Sequence, residues 1–174
     1  KGTGFIYVHH SVKIPPMIFG GAQERNMRAG TENVYGIVGM AKAMEIGYDQ
    51  LEETKQQIAS LRDYMKEELK RCIPDVAFNG DVEGSCLYTV LNTSFPLNNK
   101  SQLLLFNLDM AGICASSGSA CSSGSNQNSH VLEAIHADPN RVAIRFSFSK
   151  NNTREEVDFV IAKLKQLVGE PVTA

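Results

Sequence analysis

Apolar and polar residues alternate with two different periods in the first part of the chain. Residues 4–8 are β-prone and follow a glycine turn, which predicts a strand. From near Thr31 the apolar residues recur every three to four positions, a pattern typical of a helix with one buried face. The pattern breaks near Gly47 and then resumes. We therefore expect two long helices in succession, with a domain boundary between residues 1–48 and 49–174.

The rest of the chain mixes short strand patterns with helical patterns. Four short β-prone runs predict strands, at residues 76–78, 87–90, 113–115 and 142–148. Helical patterns cover residues 103–110 and 131–135, and a closing helix follows Thr153. Thr153 and Glu156 have the spacing of a capping box. This order predicts an α/β fold with helices packed on a small sheet.

One charged residue interrupts the last predicted strand. Ile144 and Phe146 belong to its apolar face, whereas Arg145 points to the opposite face. A guanidinium in the middle of a strand is costly to bury unless an anion pairs with it. Arg145 is therefore a candidate clamp for a carboxylate. The alternatives are a structural salt bridge and an exposed strand face.

A second candidate anion site lies at Gly30 and Thr31, where the first long helix is expected to open. Free N–H groups and the helix dipole favour a phosphate at such a position, and the Thr31 hydroxyl adds a donor. Arg25 and Arg28 flank the site. The alternative is that Thr31 is a plain helix N-cap.

Cys121 lies in a segment of small and polar residues, 116–125, that cannot supply a packed core. We expect this segment to be exposed and its thiol to be reactive, to a degree set by the local field. The alternative is a linker that happens to contain a cysteine.

The other cysteines carry a weaker signal. Cys114 lies in an apolar run and is expected to be buried and inert, and Cys72 and Cys86 indicate nothing specific. No cysteine pair has the CxxC spacing of structural zinc sites, so no metal is predicted. A metal site formed by Cys114, Cys121 and His130 stays open, but its spacing is not a standard ligand pattern.

Composition narrows the possible classes of protein. The chain has 174 residues, of which 43% are hydrophobic, and a net charge of −2, values that are ordinary for a globular domain and disfavour a nucleic-acid binder. No apolar run approaches the ~20 residues of a membrane span. Four thiols without a secretory signal favour a reducing, cytoplasmic location. The absence of an initiator Met suggests a piece of a longer or processed chain.

Three motifs, taken in order, resemble the C-terminal part of cysteine desulfurases, which are fold-type-I enzymes that use pyridoxal phosphate. The motifs are GGAQERNMRAGTENV at 20–34, SSGSACSSGS at 116–125 and IRFSFSKNNTREEVD at 144–158. The resemblance covers essentially the whole chain. It implies that residues 1–48 end a large cofactor-binding domain and that residues 49–174 form the small α/β domain with the active cysteine.

The resemblance also implies roles for three residues. Cys121 would take sulfur from L-cysteine as a persulfide, with release of L-alanine, and Arg145 would bind the substrate carboxylate. Thr31 would contact the phosphate of a pyridoxal phosphate held mainly by the other subunit of a homodimer. The sulfur would pass to an iron–sulfur scaffold or another acceptor protein, for iron–sulfur cluster assembly.

One departure from the family pattern is large. The family's cofactor lysine precedes the stretch that matches Lys1, so Lys1 is not assigned that role. We expect this chain to be a fragment, or one half of a nicked enzyme, that does not bind the cofactor productively alone. Two other functions stay open: a selenocysteine lyase and a non-catalytic sulfur-carrier or interaction module.

Overall fold

The computed structural model describes residues 2–98, 101–118 and 129–168. The chain divides into two compact units, Lys1–Leu51 and Glu52–Ala174, and each is described by itself. The domain identities inferred from the sequence for the two parts of the chain stay predictions.

The first unit contains two helices, α1 (Gln23–Asn26) and α2 (Val34–Asp49). The strand predicted at residues 4–8 is not formed, because none of the described residues pairs with this segment and a strand exists only through such pairing. Its Phe5 and Tyr7 side chains are exposed.

Helix α2 begins later than the sequence pattern predicts. Its N-cap is Asn33, whose side-chain oxygen accepts a hydrogen bond of 3.1 Å from the backbone N–H of Gly36. Thr31 is therefore not the N-cap, and it precedes the first helical residue by three positions. The interpretation of Gly30 and Thr31 as the opening of the helix is wrong in this respect. At the other end, the break predicted near Gly47 falls at Gln50.

A three-stranded antiparallel sheet, in the order β1-β2-β3, and several helices follow. A short 3₁₀ turn at Ser101–Leu103 leads into α4. These elements confirm the α/β class. Their bounds are α3 (Leu51–Cys72), β1 (Ala77–Phe78), β2 (Val90–Pro96), α4 (Leu104–Met110), α5 (His130–Ala134), β3 (Arg141–Ser147) and α6 (Arg154–Val168).

In the second unit, one predicted strand lies at a different position and another is not formed. In place of the strand predicted at residues 87–90, the structure has β2 at Val90–Pro96. Its polar Asn92 and its terminal proline make this stretch resemble a loop in the sequence. The buried Thr93 hydroxyl donates to the carbonyl of Ile144 at 2.8 Å, so a polar residue lies in the core without a lost hydrogen bond. Residues 113–115 form no strand, and only Ser116 bridges to β3.

The hydrophobic core lies between one face of the sheet and helices α3, α4 and α6. The alternation predicted for the last strand is confirmed, because Ile144 and Phe146 are buried. The most deeply buried members of the core are Met65, Leu69, Ile73, Leu91, Phe95, Leu104, Leu108, Ile144 and Leu164. The opposite face of the sheet is left for polar side chains.

The predicted capping box at the start of α6 is confirmed. The backbone N–H of Thr153 donates to Glu156 Oε2 at 3.1 Å, and the backbone N–H of Glu156 donates to Thr153 Oγ1 at 3.3 Å. This reciprocal pair satisfies two N–H groups that a helix end leaves open, and it sets where α6 begins after β3.

An ion-pair network holds the loop between β1 and β2 to helix α3. The buried Lys66 donates to Glu83 Oε2 at 2.7 Å, and Lys70 donates to Glu83 Oε1 at 2.9 Å. The hydrogen bond from Lys66, and then that from Lys70, lowers the pKa of Glu83 from its ordinary 4.5 to about 2. The carboxylate also neutralises an ammonium that is costly to bury alone.

The variant Glu83→Gln is expected to lower the stability of the chain at neutral pH, because the buried Lys66 then keeps only its longer ion pair, of 3.6 Å, with Glu67. The folded pKa of Glu83 lies below its ordinary value, so the stabilisation is complete above pH 4.5 and is lost as the pH falls towards 2. Urea midpoints followed by circular dichroism from pH 7 to pH 2 measure this. Glu53→Gln on the exposed side of α3 is the control. A deficit that is equally large at pH 2 would contradict the assignment.

Candidate functional site

Arg145 lies in the middle of β3, on the face of the sheet opposite the core. Its backbone N–H donates to the Ser116 carbonyl at 2.7 Å and its carbonyl accepts from the Ser116 N–H at 3.1 Å, while on its other side it is the register partner of Asn92 on β2. The strand face predicted for this residue is confirmed. The backbone of residue 145 is thus fixed independently of what its side chain contacts.

The Arg145 side chain is half-buried, and its Nε is fully buried without a hydrogen-bond partner among the described residues. None of the ion pairs within residues 2–98, 101–118 and 129–168 involves Arg145. The structural salt bridge considered above is therefore not found there. A buried donor without an acceptor is costly, and an anionic ligand would satisfy it.

Four polar residues form a row across this face of the sheet, which we call the polar row: Asn79, Asn92, Arg145 and Ser116. Asn79 is tied to Asn92 twice, by a backbone N–H to carbonyl bond of 3.0 Å and by its Nδ2 donating to Asn92 Oδ1 at 2.9 Å. Arg145 is opposite Asn92, and Ser116 is opposite Arg145. All four residues are half-buried. Sequence analysis found only Arg145 of this row, because a strand register is needed to place the other three beside it.

The loop before α2 is organised around the carbonyl groups on either side of Gly30. The guanidinium of Arg28 donates to the Gly30 carbonyl at 2.8 Å and to the Ala29 carbonyl at 3.2 Å. Gln23 Oε1 accepts from the backbone N–H of Gly30 at 3.2 Å, and Gly30 has a φ of +99°. The Thr31 hydroxyl that follows is exposed and bonds no described residue. It stays available as a donor, although it does not belong to a helix end.

Helix α1 is strained. Glu24, Arg25 and Asn26 have φ values of 47°, 55° and 64°, in the left-handed region that is unfavourable for residues with a side chain beyond Cα. The two arginines of this segment differ in what they do. Arg28 bonds the loop itself, whereas the side chain of Arg25 is exposed.

Cys121, the predicted nucleophile, lies outside the described residues. The described residues on either side of that segment are attached to the second unit. Ser116 is bonded to β3, and the carbonyl of the buried Ser129 accepts from the backbone N–H of Glu133 at 3.0 Å. The role of Cys121 stays a prediction.

Cys114 is exposed, so the expectation that it is buried is wrong, and its reactivity stays a prediction. Residues 113–115 form no strand, but neighbouring side chains still point in opposite directions. Ile113 is buried in the core, and its neighbour Cys114 is exposed. The thiol lies at a cavity of about 490 Å³ that Phe146, Val157 and Val160 also line.

A contact between Arg62 and Cys86 gave no signal in the sequence, because the two residues are 24 positions apart. The Arg62 guanidinium donates to Cys86 Sγ at 2.8 Å and to Asp63 Oδ1 at 2.6 Å. Burial would lower the pKa of Arg62, but the bonds and charges of Asp63 and Cys86 outweigh it and raise this pKa above its ordinary value. This contact fastens the loop between β1 and β2 to α3 at a second point.

Two other features, a metal site and a membrane-spanning helix, are absent from the described residues. No group of three or more histidine, cysteine or acidic side chains in residues 2–98, 101–118 and 129–168 is arranged to hold a metal ion. None of the helices in these ranges is both long and apolar enough to traverse a lipid bilayer. His130 and His136 are exposed at the two ends of α5.

Comparison with known proteins identifies the family. Residues 1–160 match the family model of aminotransferase class-V. Because this match covers most of the sequence, the chain belongs to that family.

Individual relatives indicate which group of proteins within this family the chain resembles. The chain is 42% identical, over 96% of its length, to a cysteine desulfurase of Gluconacetobacter diazotrophicus, and 40% identical, over 97%, to a cysteine desulfurase IscS of Dictyoglomus turgidum. A crystal structure of a NifS-like protein from Rickettsia africae matches 90% of the chain with 30% identity and a TM-score of 0.72. The resemblance to cysteine desulfurases seen in the motifs is confirmed. The chain spans 44%, 43% and 41% of these three proteins.

The exposure of Cys114 can be tested by labelling. In a Cys121→Ser background, Cys114 is expected to react with a maleimide faster than the half-buried Cys72 and Cys86, because access limits the reaction. Mass spectrometry of timed samples identifies the labelled thiol. Adding Cys114→Ser is expected to remove the fast phase. A fast phase that disappears with Cys72→Ser instead would contradict the assignment.

Proposed function

We propose that this chain is the C-terminal part of a pyridoxal-phosphate-dependent cysteine desulfurase, which moves the sulfur of L-cysteine to Cys121 and releases L-alanine. One observation carries the proposal: the buried, unpaired Nε of Arg145, fixed by its backbone to Ser116, where the segment with Cys121 begins. The identities of 42% and 40% to named cysteine desulfurases support it.

Arg145 binds the substrate's carboxylate in this proposal. A guanidinium is a planar set of N–H donors that matches the two oxygens of a carboxylate, and bonds between such charged partners are about twice as strong as neutral ones. The half-buried position on β3 strengthens the pairing, because less water competes there. The same position disfavours molecules without an anion, since they leave the guanidinium unsatisfied.

The residues of the first unit fit one part of the cofactor, its phosphate. Thr31 would hold it, because its exposed hydroxyl bonds no described residue. The cofactor, when bound, supplies an electron-withdrawing ring that stabilises negative charge at the substrate's α-carbon. No residue of this chain is assigned as its lysine. The rest of the cofactor site belongs to a part of the protein that this chain does not contain, and Thr31 would serve the cofactor of the partner subunit in a homodimer.

Cys121 acts as the nucleophile. Its thiolate attacks the sulfur of L-cysteine, so a sulfur–sulfur bond forms while the substrate's carbon–sulfur bond breaks. The electron pair of the broken bond stays with carbon, which takes up a proton and leaves as alanine. The enzyme keeps a persulfide on Cys121. An acceptor protein, such as an iron–sulfur scaffold, then receives this sulfur, which would serve iron–sulfur cluster assembly.

The nucleophile is tested in the complete protein with Cys121→Ser. We expect this variant to bind pyridoxal phosphate with unchanged visible absorption but to release no sulfide from L-cysteine in the presence of a reductant. Cys72→Ser is the matched control and keeps its activity. Sulfide release at the rate of the parent protein would remove Cys121 from the mechanism. Parallel assays with selenocysteine distinguish a selenocysteine lyase, and absence of cofactor binding by the parent would indicate a sulfur carrier.

The carboxylate clamp is tested with Arg145→Ala. Loss of a hydrogen bond between charged groups is expected to raise the KM for L-cysteine by about 10- to 100-fold. Arg71→Ala, which removes an exposed arginine from α3, is the control and is expected to leave KM unchanged. A KM that does not change in Arg145→Ala would place the carboxylate elsewhere.

A further inference from the structure

The polar row contains a second side-chain donor without an acceptor among the described residues, the amide of Asn92. Asn92 Oδ1 is occupied, because it accepts from Asn79 Nδ2 at 2.9 Å. The amide is therefore oriented with its two Nδ2 hydrogens away from Asn79, and no described residue accepts from them. Asn92 is half-buried, so this pair of donors has limited access to water.

The register places these donors beside those of Arg145. Asn92 and Arg145 are directly opposite each other on β2 and β3. Side chains at such paired positions share one face of the sheet, with Cβ atoms about 4.5–5.5 Å apart. Both groups only donate here: a guanidinium has no acceptor, and the one acceptor of Asn92 is taken. A carboxylate satisfies both, because each of its two oxygens can accept from one of these donors.

We propose that Asn92 is a second ligand of the substrate's carboxylate, with its Nδ2 donating to one oxygen while Arg145 binds the other. The inference rests on the proposed function for the nature of the substrate, and on the sheet register for the residue. Asn79 is the positioning residue, because its Nδ2 fixes which end of the Asn92 amide faces Arg145. Asn92 thereby makes the site select molecules with an anion at this point.

Two isosteric variants test this role, and the second separates it from a structural one. Asn92→Asp keeps the acceptor for Asn79 and the shape of the side chain, but it replaces the donor by an anion beside Arg145. Asn79→Asp leaves Asn92 untouched but removes the donor that orients it, so the Asn92 amide turns its Nδ2 towards residue 79. Asn92→Asp weakens carboxylate binding even if Asn92 is purely structural, because its anion lies beside Arg145. Asn79→Asp adds no charge at residue 92 and weakens carboxylate binding only if the Asn92 amide is a ligand. A ligand of the carboxylate does not tolerate either change.

The experiment measures binding of L-alanine and of ethylamine, which lacks the carboxylate, to the complete protein loaded with pyridoxal phosphate. Binding is followed by the change in the cofactor's visible absorption. We expect Asn92→Asp and Asn79→Asp to raise the Kd of L-alanine by about 10- to 100-fold and to leave that of ethylamine unchanged. Asn151→Asp, an equal change of charge at an exposed turn, is the control. Thermal melting checks that each variant is folded.

The outcomes separate the two hypotheses. If the parent protein releases sulfide from L-cysteine and the Kd for L-alanine is unchanged in Asn92→Asp, only the role of Asn92 is overturned. Equal weakening of both ligands also overturns it, because the carboxylate is then not involved. If the variants selectively lose L-alanine binding and the parent protein releases no sulfide from L-cysteine, the carboxylate site is supported and the desulfurase reaction is rejected. Asn79→Asp decides in the same way, whether or not Asn92→Asp folds.

Discussion

The antiparallel register of β2 and β3 is the constraint on which the rest of the second unit depends. Pairing Thr93 with Ile144 puts both into the core, and the same register puts Asn92 beside Arg145 on the other face. A shift by one residue would exchange the two faces and bury the guanidinium among aliphatic side chains. The core and the proposed anion site are therefore held by a single set of backbone hydrogen bonds. The buried Thr93 hydroxyl, bonded to the carbonyl of Ile144, adds a side-chain contact that fits only this register.

The two units differ in how firmly each holds its own candidate residues. The second unit holds the backbone of Arg145 and orients the amide of Asn92, both on strands that the core supports. The first unit supplies a loop held by Arg28 and an exposed Thr31, while helix α2 beside it buries none of its side chains. The described contacts stabilise the second unit by itself and leave much of the first unit's apolar surface exposed.

Local signals in the sequence predicted the elements that local forces determine. The capping box of α6 and the alternation of β3 needed only a few neighbouring residues, and both were confirmed. β2 was placed wrongly, because its polar residues are explained only by partners far along the chain, such as the carbonyl of Ile144. The sequence does not indicate the exposure of Cys114 for a similar reason, because that exposure depends on Ile113 occupying the core instead. Arg145 was found because a charge inside an apolar run is conspicuous, whereas Asn79 and Asn92 required the register.

The attachment of Ser116 to Arg145 uses main-chain atoms only. Both side chains at this bridge are thus decoupled from the scaffold that holds them, whereas the side chain of Asn92 across the ladder is bonded to Asn79. Such positions can exchange their chemical groups while the architecture persists, and this is how one framework acquires new ligand preferences in evolution. For protein engineers, these two positions are ones at which the proposed preference for a carboxylate can be altered while the backbone bonds persist.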